Sequence, residues 1–320
     1  MATWARQLAL CATFLVVAGC SVLSPRASPS PLARPPGIVP GIPPVARALP
    51  SDRSTELASY YGRLQNDLLT RGLLRTDGGG PDTPYGVDDV VENFIEIAFF
   101  DEYGQPGVFG RRSRGGSGSL TRWNKPVRLS VEFGPTIPSA LRARDRGEVQ
   151  QFATRLARVT QHPITIDNAN ANFTVFVAGE DDRSFIQRRL IELIPSISPE
   201  ELALFANLPR SFYCLVAAVS DADAPNTYSR AVALVRAEHP DLVRKSCLHE
   251  EISQGLGLPN DSPVARPSIF NDDDEFALLT SHDEILLRML YDSRLQPGMT
   301  VAEARPIIRQ IATELLASPL

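Results

Sequence analysis

The chain of 320 residues lacks an excess of positive charge. It has 32 lysines and arginines against 37 aspartates and glutamates, which gives a net charge of -5 and a pI of about 5.5. Proteins that bind nucleic acid or anionic membrane surfaces usually carry a basic patch, so neither partner is expected. The composition, 43% hydrophobic and 22% charged, is globular and supplies enough apolar residues for one or two cores.

A membrane-spanning run is also missing from the N-terminus. The apolar run from Leu8 to Val17 follows Arg6 and is too short to cross a bilayer, but it suits a signal peptide. It ends in "VAGC", which resembles the lipobox of bacterial lipoproteins, in which the cysteine is lipidated. The resemblance implies that residues 1–20 are a lipoprotein signal peptide and that Cys20 is the lipidation site. The alternative is an ordinary signal peptide cleaved nearby.

The lipobox resemblance also implies a location. Ser21 follows the cysteine instead of aspartate, so we expect export and lipid anchoring to the outer membrane, facing the periplasm, with the lipid as the only membrane contact. Residues 21–50 are dense in proline and have no apolar period, which predicts a disordered tether. The glycine-rich stretch at 110–119 lacks the G-x-x-x-x-G-K spacing of a phosphate-binding loop, so we interpret it as a flexible loop.

Two kinds of apolar period divide the rest of the chain. Residues 51–110 show helical spacing twice, which predicts an N-terminal helical extension of two helices. Residues 111–320 mix alternating strands with helical segments, including one helix from about 184 to 206. This pattern predicts an α+β fold with a mixed sheet.

Cysteine is scarce in the part of the chain expected to be exported, where only Cys214 and Cys247 occur after Cys20. Export favours oxidation, so the two are predicted to form a disulfide. The alternative is a pair of buried thiols.

The stretch "CLHEEISQGLGLPND", residues 247–261, has the spacing of a zinc-protease signature, H-E-x-x-H-x-x-G-x-x-H. Reading from His249 fails, because it puts leucine at the glycine and proline at the third ligand. Reading from Glu250 keeps the spacing, with Glu251 at the catalytic glutamate and Gly257 at the glycine. The three histidine positions are then held by Glu250, Gln254 and Asn260.

Two further stretches share this likeness. "TRWNKPVRLSV" resembles the start of the catalytic domain of metzincins, the superfamily that includes the matrix metalloproteinases, and "FALLTSHDEILLRMLYD" resembles their last helix. Ser281 and Glu284 fit a capping box at the start of that helix. Residues 120–292 also resemble the bacterial family known as domain of unknown function 2927, through its "HEE-x-x-Q-x-LGL-x-ND" stretch. The resemblance implies a zincin-like α+β fold with a central motif helix, a C-terminal helix and degenerate zinc ligands.

The altered ligands leave three interpretations open. In the first, Glu250, Glu251, Gln254 and Asn260 form a hydrogen-bonded polar cluster that holds the helix end and the turn after Gly257. In the second, Glu250, Gln254 and Asn260, with Asp261, form a weak or non-zinc metal site. In the third, the site is that of a hydrolase with Glu251 as general base. No cofactor is expected beyond such a weakly bound metal. His249 and His282 are the candidate auxiliary residues. The two functions considered are a binding or scaffolding module for a peptide or envelope protein, and a peptidase-like hydrolase.

Overall fold

The computed structural model describes residues 49–100 and 118–317. The predicted signal peptide, Cys20 and nearly all of the proline-rich segment lie outside the described residues, and so does most of the stretch at 110–119.

The centre of the fold is a five-stranded sheet. Its strands are β1 (Val127–Phe133), β2 (Ile164–Ile166), β3 (Phe173–Ala178), β4 (Cys214–Ser220) and β5 (Tyr228–Arg236). They lie in the order β2-β1-β3-β5-β4. The strands β1, β2, β3 and β5 run parallel, and the edge strand β4 is antiparallel to β5. Successive side chains point to opposite faces, and apolar residues on both faces are buried.

Helices cover the two faces of the sheet. On one face α3 (Ser139–Thr160) and α6 (Asp241–Gly257) pack in the main hydrophobic core, next to α7 (Ser281–Leu290). On the other face α4 (Arg183–Leu193) and α5 (Pro199–Ala206) pack against β3, β4 and β5 around a smaller core. The fold is therefore mixed α+β, as the sequence predicts.

The helix α2 (Val87–Phe99) contributes to the main core rather than only covering it. Its four exposed positions, Asp88, Asp89, Glu92 and Glu96, are all acidic, and its other residues except Val87 are buried. The helix packs against α7 and against α8 (Val301–Ala317). The helix α8 follows α7 and was not expected from the sequence. The helix α1 (Asp52–Thr70) buries Tyr61 and Leu68, and the Tyr61 hydroxyl donates a hydrogen bond of 3.0 Å to the Arg210 carbonyl.

Two local predictions were wrong. The single helix expected at 184–206 is two helices, because Pro195 interrupts the first and a capping box of Ser198 and Glu201 starts the second. The capping box of α7 is Thr280 with Asp283, one residue before the expected pair Ser281 and Glu284. Among the described residues, no helix has both the length and the apolar character needed to cross a membrane.

Candidate functional site

The motif helix α6 is anchored to the sheet by its apolar side and by a covalent bond. Leu248, Ile252 and Leu256 are buried in the main core. Cys247 forms a disulfide with Cys214 of the edge strand β4, with 5.8 Å between the two Cα atoms. The predicted disulfide is confirmed, and it fixes the start of the motif beside the edge of the sheet.

The C-terminal end of α6 is held by side chains from the two other stretches that carried the resemblance. The indole Nε1 of Trp123 donates a hydrogen bond of 2.9 Å to the Gly255 carbonyl. The hydroxyl of Tyr291 donates one of 3.0 Å to the Leu256 carbonyl. These bonds satisfy carbonyls that have no partner within the helix. The three motifs, far apart in sequence, therefore meet at one helix end.

Gly257 shows why the motif needs a glycine at this point. Its φ of 129° is a conformation that side chains rarely adopt, and a Cβ atom would lie 2.6 Å from the Thr121 carbonyl oxygen. The chain turns here and leads directly into Pro259, Asn260 and Asp261.

The amides at two ligand positions already make hydrogen bonds. Gln254 Nε2 donates to Asp261 Oδ1 over 3.2 Å, and Asn260 Nδ2 donates to the Glu96 carbonyl at the end of α2 over 3.1 Å. Glu251 is only 4% exposed, while Glu250 is half-buried. Gln254 is therefore hydrogen-bonded to Asp261, and Asn260 is hydrogen-bonded to α2.

His249 is packed into the core on another side of α6. Its ring stacks on Phe152 with 4.0 Å between centroids, and its Nδ1 accepts a hydrogen bond of 3.2 Å from the backbone N–H of Leu279. Burial, together with the nearby charges of Arg155 and Lys245, lowers its pKa to about 3. At neutral pH the ring is uncharged, and its Nδ1 is already engaged as the acceptor of this backbone hydrogen bond.

His282 is fully buried at the start of α7. Its Nε2 lies 3.2 Å from Asn93 Nδ2, and its ring packs edge-on against Tyr85. The neighbouring Asp283 accepts hydrogen bonds from the Ser268 hydroxyl (2.6 Å) and the Ile269 N–H (3.1 Å). Asp283 was not among the residues predicted from the sequence, where its one signal is its position three residues after Thr280.

No three His, Cys, Asp or Glu side chains come together as a metal-binding group within residues 49–100 and 118–317. The candidate residues therefore divide into a polar pair at the end of α6, an amide bonded to α2, and two histidines in separate buried contacts.

The edge strand β4 runs beside α6 and turns one row of backbone groups away from the sheet. The N–H of Ala231 donates to Asn172, the residue before β3, and the N–H of Ala237 donates to Ala178, the last residue of β3. The alternate residues Val232 and Leu234 therefore direct their backbone groups towards β4. Their partners in β4 are Ala217 and Leu215. The N–H and C=O groups of Val216 and Ala218 consequently point to the outer edge, with which no strand of the described chain pairs.

Comparison with known proteins identifies the family. No curated protein and no solved structure matches the chain significantly. A family model described as "Protein of unknown function (DUF2927)" matches residues 88–310, which begin in α2 and end in α8. The match includes the sheet, the motif helix and the residues that hold its C-terminal end. The chain therefore belongs to the DUF2927 family.

Proposed function

We propose that this protein is an exported binding module that holds an extended peptide segment of a cell-envelope protein along the outer edge of β4. The observation that carries the proposal is the row of outward-facing backbone groups at Val216 and Ala218, beside the motif helix. An extended peptide can add to such an edge as a further strand, using main-chain hydrogen bonds for affinity. Val216 and Ala218 are partly exposed, as this role requires.

A distant kinship with metzincins, which the three stretches suggest, would favour the same surface. The mixed sheet with the motif helix packed on one face is compatible with the zincin-like arrangement that the stretches imply. Trp123, Gly257 and Tyr291, one from each stretch, lie together at the C-terminal end of α6. A fold that once bound peptides for cleavage would retain a peptide-binding edge after losing its metal ligands.

The donor set argues against a catalytic zinc. Such a zinc takes nitrogen, sulfur or carboxylate ligands and leaves one position open for water. Here the three ligand positions supply one carboxylate and two amides, and both amides are engaged with Asp261 and with α2. His249 could replace a ligand only if α6 rotated out of the core. We therefore interpret the pair of Gln254 with Asp261, and the bond from Asn260 to the Glu96 carbonyl, as polar contacts that fix the turn after the helix.

The second candidate is a hydrolase in which Glu251 acts as general base. Its burial at the position of the signature glutamate favours this function. Elemental analysis and a peptide-library cleavage assay on the wild type and Glu251→Gln separate the two functions. Stoichiometric metal with cleavage lost in the variant would replace the binding-module proposal.

The anchoring part of the proposal has its own test. Cells labelled with a fatty-acid probe should mark the wild-type chain but not Cys20→Ala. Equal labelling of both proteins would remove the lipid anchor from the proposal and leave the binding module to be judged separately.

Peptide binding is tested by selecting extended peptides from a random library on the full chain and then comparing two variants of one edge residue. Ala218→Pro removes an N–H that points away from the sheet, and proline is tolerated at such edge positions. It should fold and lose the selected peptides, whereas Ala218→Ser keeps the N–H and should bind them. Undiminished binding by a folded Ala218→Pro, or no selected peptide at all, would contradict strand addition.

A further inference from the structure

Three basic side chains line one cavity near the amino ends of the parallel strands. The cavity has a volume of about 360 Å³, and its walls include Lys125, Arg128 of β1 and Arg230 of β5. The buried aromatic side chains of Trp123 and Tyr228 also line it. This volume is within the range of small-molecule sites.

The three cations differ from most arginines of the domain in having no acidic partner. Arg75, Arg155, Arg189, Arg244 and Arg294 each form an ion pair with a carboxylate. Within the described ranges, none of Lys125, Arg128 and Arg230 has a carboxylate oxygen within 4 Å, although the chain as a whole is acidic. Concentrating unpaired positive charge around a cavity raises the local concentration of anions.

The loops around the cavity are held in place by hydrogen bonds. Asn172 accepts from the Arg128 N–H (2.6 Å) and donates to the Pro126 carbonyl (3.0 Å), which joins the starts of β1 and β3. Arg128 Nε donates to the Asn170 carbonyl over 2.5 Å, which orients the guanidinium and leaves its terminal nitrogens for a ligand. Such preorganisation lowers the cost of binding.

Two aspartates accept hydrogen bonds from uncharged groups of residues that line or adjoin the cavity. Asp167 accepts hydrogen bonds from the backbone N–H groups of Ala169 and Asn170, each 3.0 Å long. Asp221 accepts one of 2.8 Å from the Ser229 hydroxyl. The pKa of Asp167 is lowered chiefly by these backbone hydrogen bonds and to a lesser extent by the charge of Arg128. Both carboxylates stabilise the loops, and neither forms an ion pair with the three cations.

We propose that this cavity binds a phosphoryl group carried by a small molecule or by a lipid headgroup. Arginine guanidinium groups suit phosphate oxygens because they present paired N–H donors, and lysine adds a compact positive charge. Three cations match a doubly charged phosphoryl group better than a single carboxylate. The site is separate from the β4 edge, so the test of this proposal is independent of the test of peptide binding.

Trp123 provides the readout, because Trp4 is the only other tryptophan in the chain. In the full chain carrying Trp4→Phe, titration with glycerol phosphate should change the Trp123 fluorescence and saturate. The double variant Arg128→Gln/Arg230→Gln should weaken binding by about a hundredfold, at roughly tenfold for each guanidinium. The matched control Arg63→Gln/Arg188→Gln removes the same number of charges from exposed positions of α1 and α4 and should bind as the parent does.

Vesicle binding distinguishes the two sources of the phosphoryl group. Phosphatidylglycerol vesicles, with phosphatidylcholine vesicles as the neutral comparison, are tested on the same three proteins after circular dichroism has confirmed their folding. Saturable binding of glycerol phosphate identifies a soluble ligand, and binding of phosphatidylglycerol vesicles alone identifies a lipid headgroup. Either result supports the site if the double variant loses the binding that the parent shows. No saturable binding of either probe, or equal binding by the double variant, overturns the proposal.

Discussion

Trp123 and Gly255 are 132 residues apart, and the indole Nε1 of the first donates a hydrogen bond of 2.9 Å to the carbonyl of the second. The indole is 1% exposed and stacks against Phe173 of β3. One side chain therefore packs on the sheet and caps the motif helix. This relationship gives a structural reason for the tryptophan in the stretch before β1.

Replacing Trp123 by phenylalanine should destabilise the fold by roughly 2 to 4 kcal/mol, because it leaves a buried carbonyl without its donor and opens a cavity. Tyr291→Phe removes only a hydroxyl from the neighbouring Leu256 carbonyl, so it should cost about 1 to 2 kcal/mol. Urea unfolding followed by far-UV circular dichroism measures both. Equal unfolding free energies of Trp123→Phe and the wild type would show that the hydrogen bond from Trp123 to Gly255 does not stabilise the fold.

Gly255 permits the close contact between α6 and the sheet. A Cβ atom there would lie 2.4 Å from the Phe173 ring and 3.1 Å from a Val216 methyl group. Gly255→Ala should therefore cost about 1 to 3 kcal/mol of unfolding free energy through overpacking.

Gly62→Ala is the matched control for Gly255→Ala. Gly62 lies within α1 and has nothing within 4 Å of the added Cβ. The change should stabilise the fold by about 0.5 to 1 kcal/mol, because alanine is the better helix former. The two variants should differ in sign when their urea midpoints are compared, and destabilisation of both to the same extent would contradict the packing argument.

The disulfide between Cys214 and Cys247 closes a loop with a sequence separation of 33. The double variant Cys214→Ala/Cys247→Ala should lose about 3 kcal/mol in the chain-entropy model. Urea unfolding of the oxidised wild type, the reduced wild type and the double variant measures the loss. Mass spectrometry of the unreduced protein should detect the linked peptide pair, and equal stability of all three samples would show that the disulfide is not stabilising.

Much of the fold could be predicted from local patterns, and the remainder depended on distant contacts. The apolar periods predicted α1, α2 and the motif helix, since each buries one continuous surface. The cap of α7 was misplaced because Thr280 with Asp283 and Ser281 with Glu284 both fit the same pattern, and the choice depends on Ser268 and Ile269. The bond from Asn260 to Glu96 joins residues 164 apart and leaves no local signal.

His249 should make the fold sensitive to acid. Its ordinary pKa of 6.5 is lowered to about 3 by burial, so below pH 6.5 the unfolded chain binds a proton that the folded chain does not. The contribution of neutral His249 to the unfolding free energy is therefore fully present above pH 6.5. It decreases as the pH falls towards 3, and the loss is about 2 kcal/mol at pH 5. The buried ring of His239, whose pKa is also lowered, acts in the same direction.

The variant His249→Gln tests this assignment, because it removes the titrating group and keeps an acceptor for the Leu279 N–H. Urea unfolding at several pH values from 4 to 7.5 should show a smaller loss of stability for the variant on acidification. The comparison is made relative to pH 7.5, where both side chains are neutral. An unchanged pH dependence would exclude His249 as its source.

Asp274 should act in the opposite direction. Burial, followed by repulsion from Asp273 and Asp272, raises its pKa from 3.8 to about 6. The folded chain thus keeps a proton that the unfolded chain releases, and stability falls as the pH rises from about 4 to 6.

Asp274→Asn removes this loss and suits the left-handed φ of 57° at this position. It should raise the unfolding free energy at pH 7 by about 1 kcal/mol, a value reduced for partial solvent screening. Asp223→Asn, a change of the same charge at an exposed loop position, is the control and should leave stability within about 0.5 kcal/mol. If thermal unfolding at pH 7 gives the same midpoint for Asp274→Asn and the wild type, the carboxylate of Asp274 does not oppose folding.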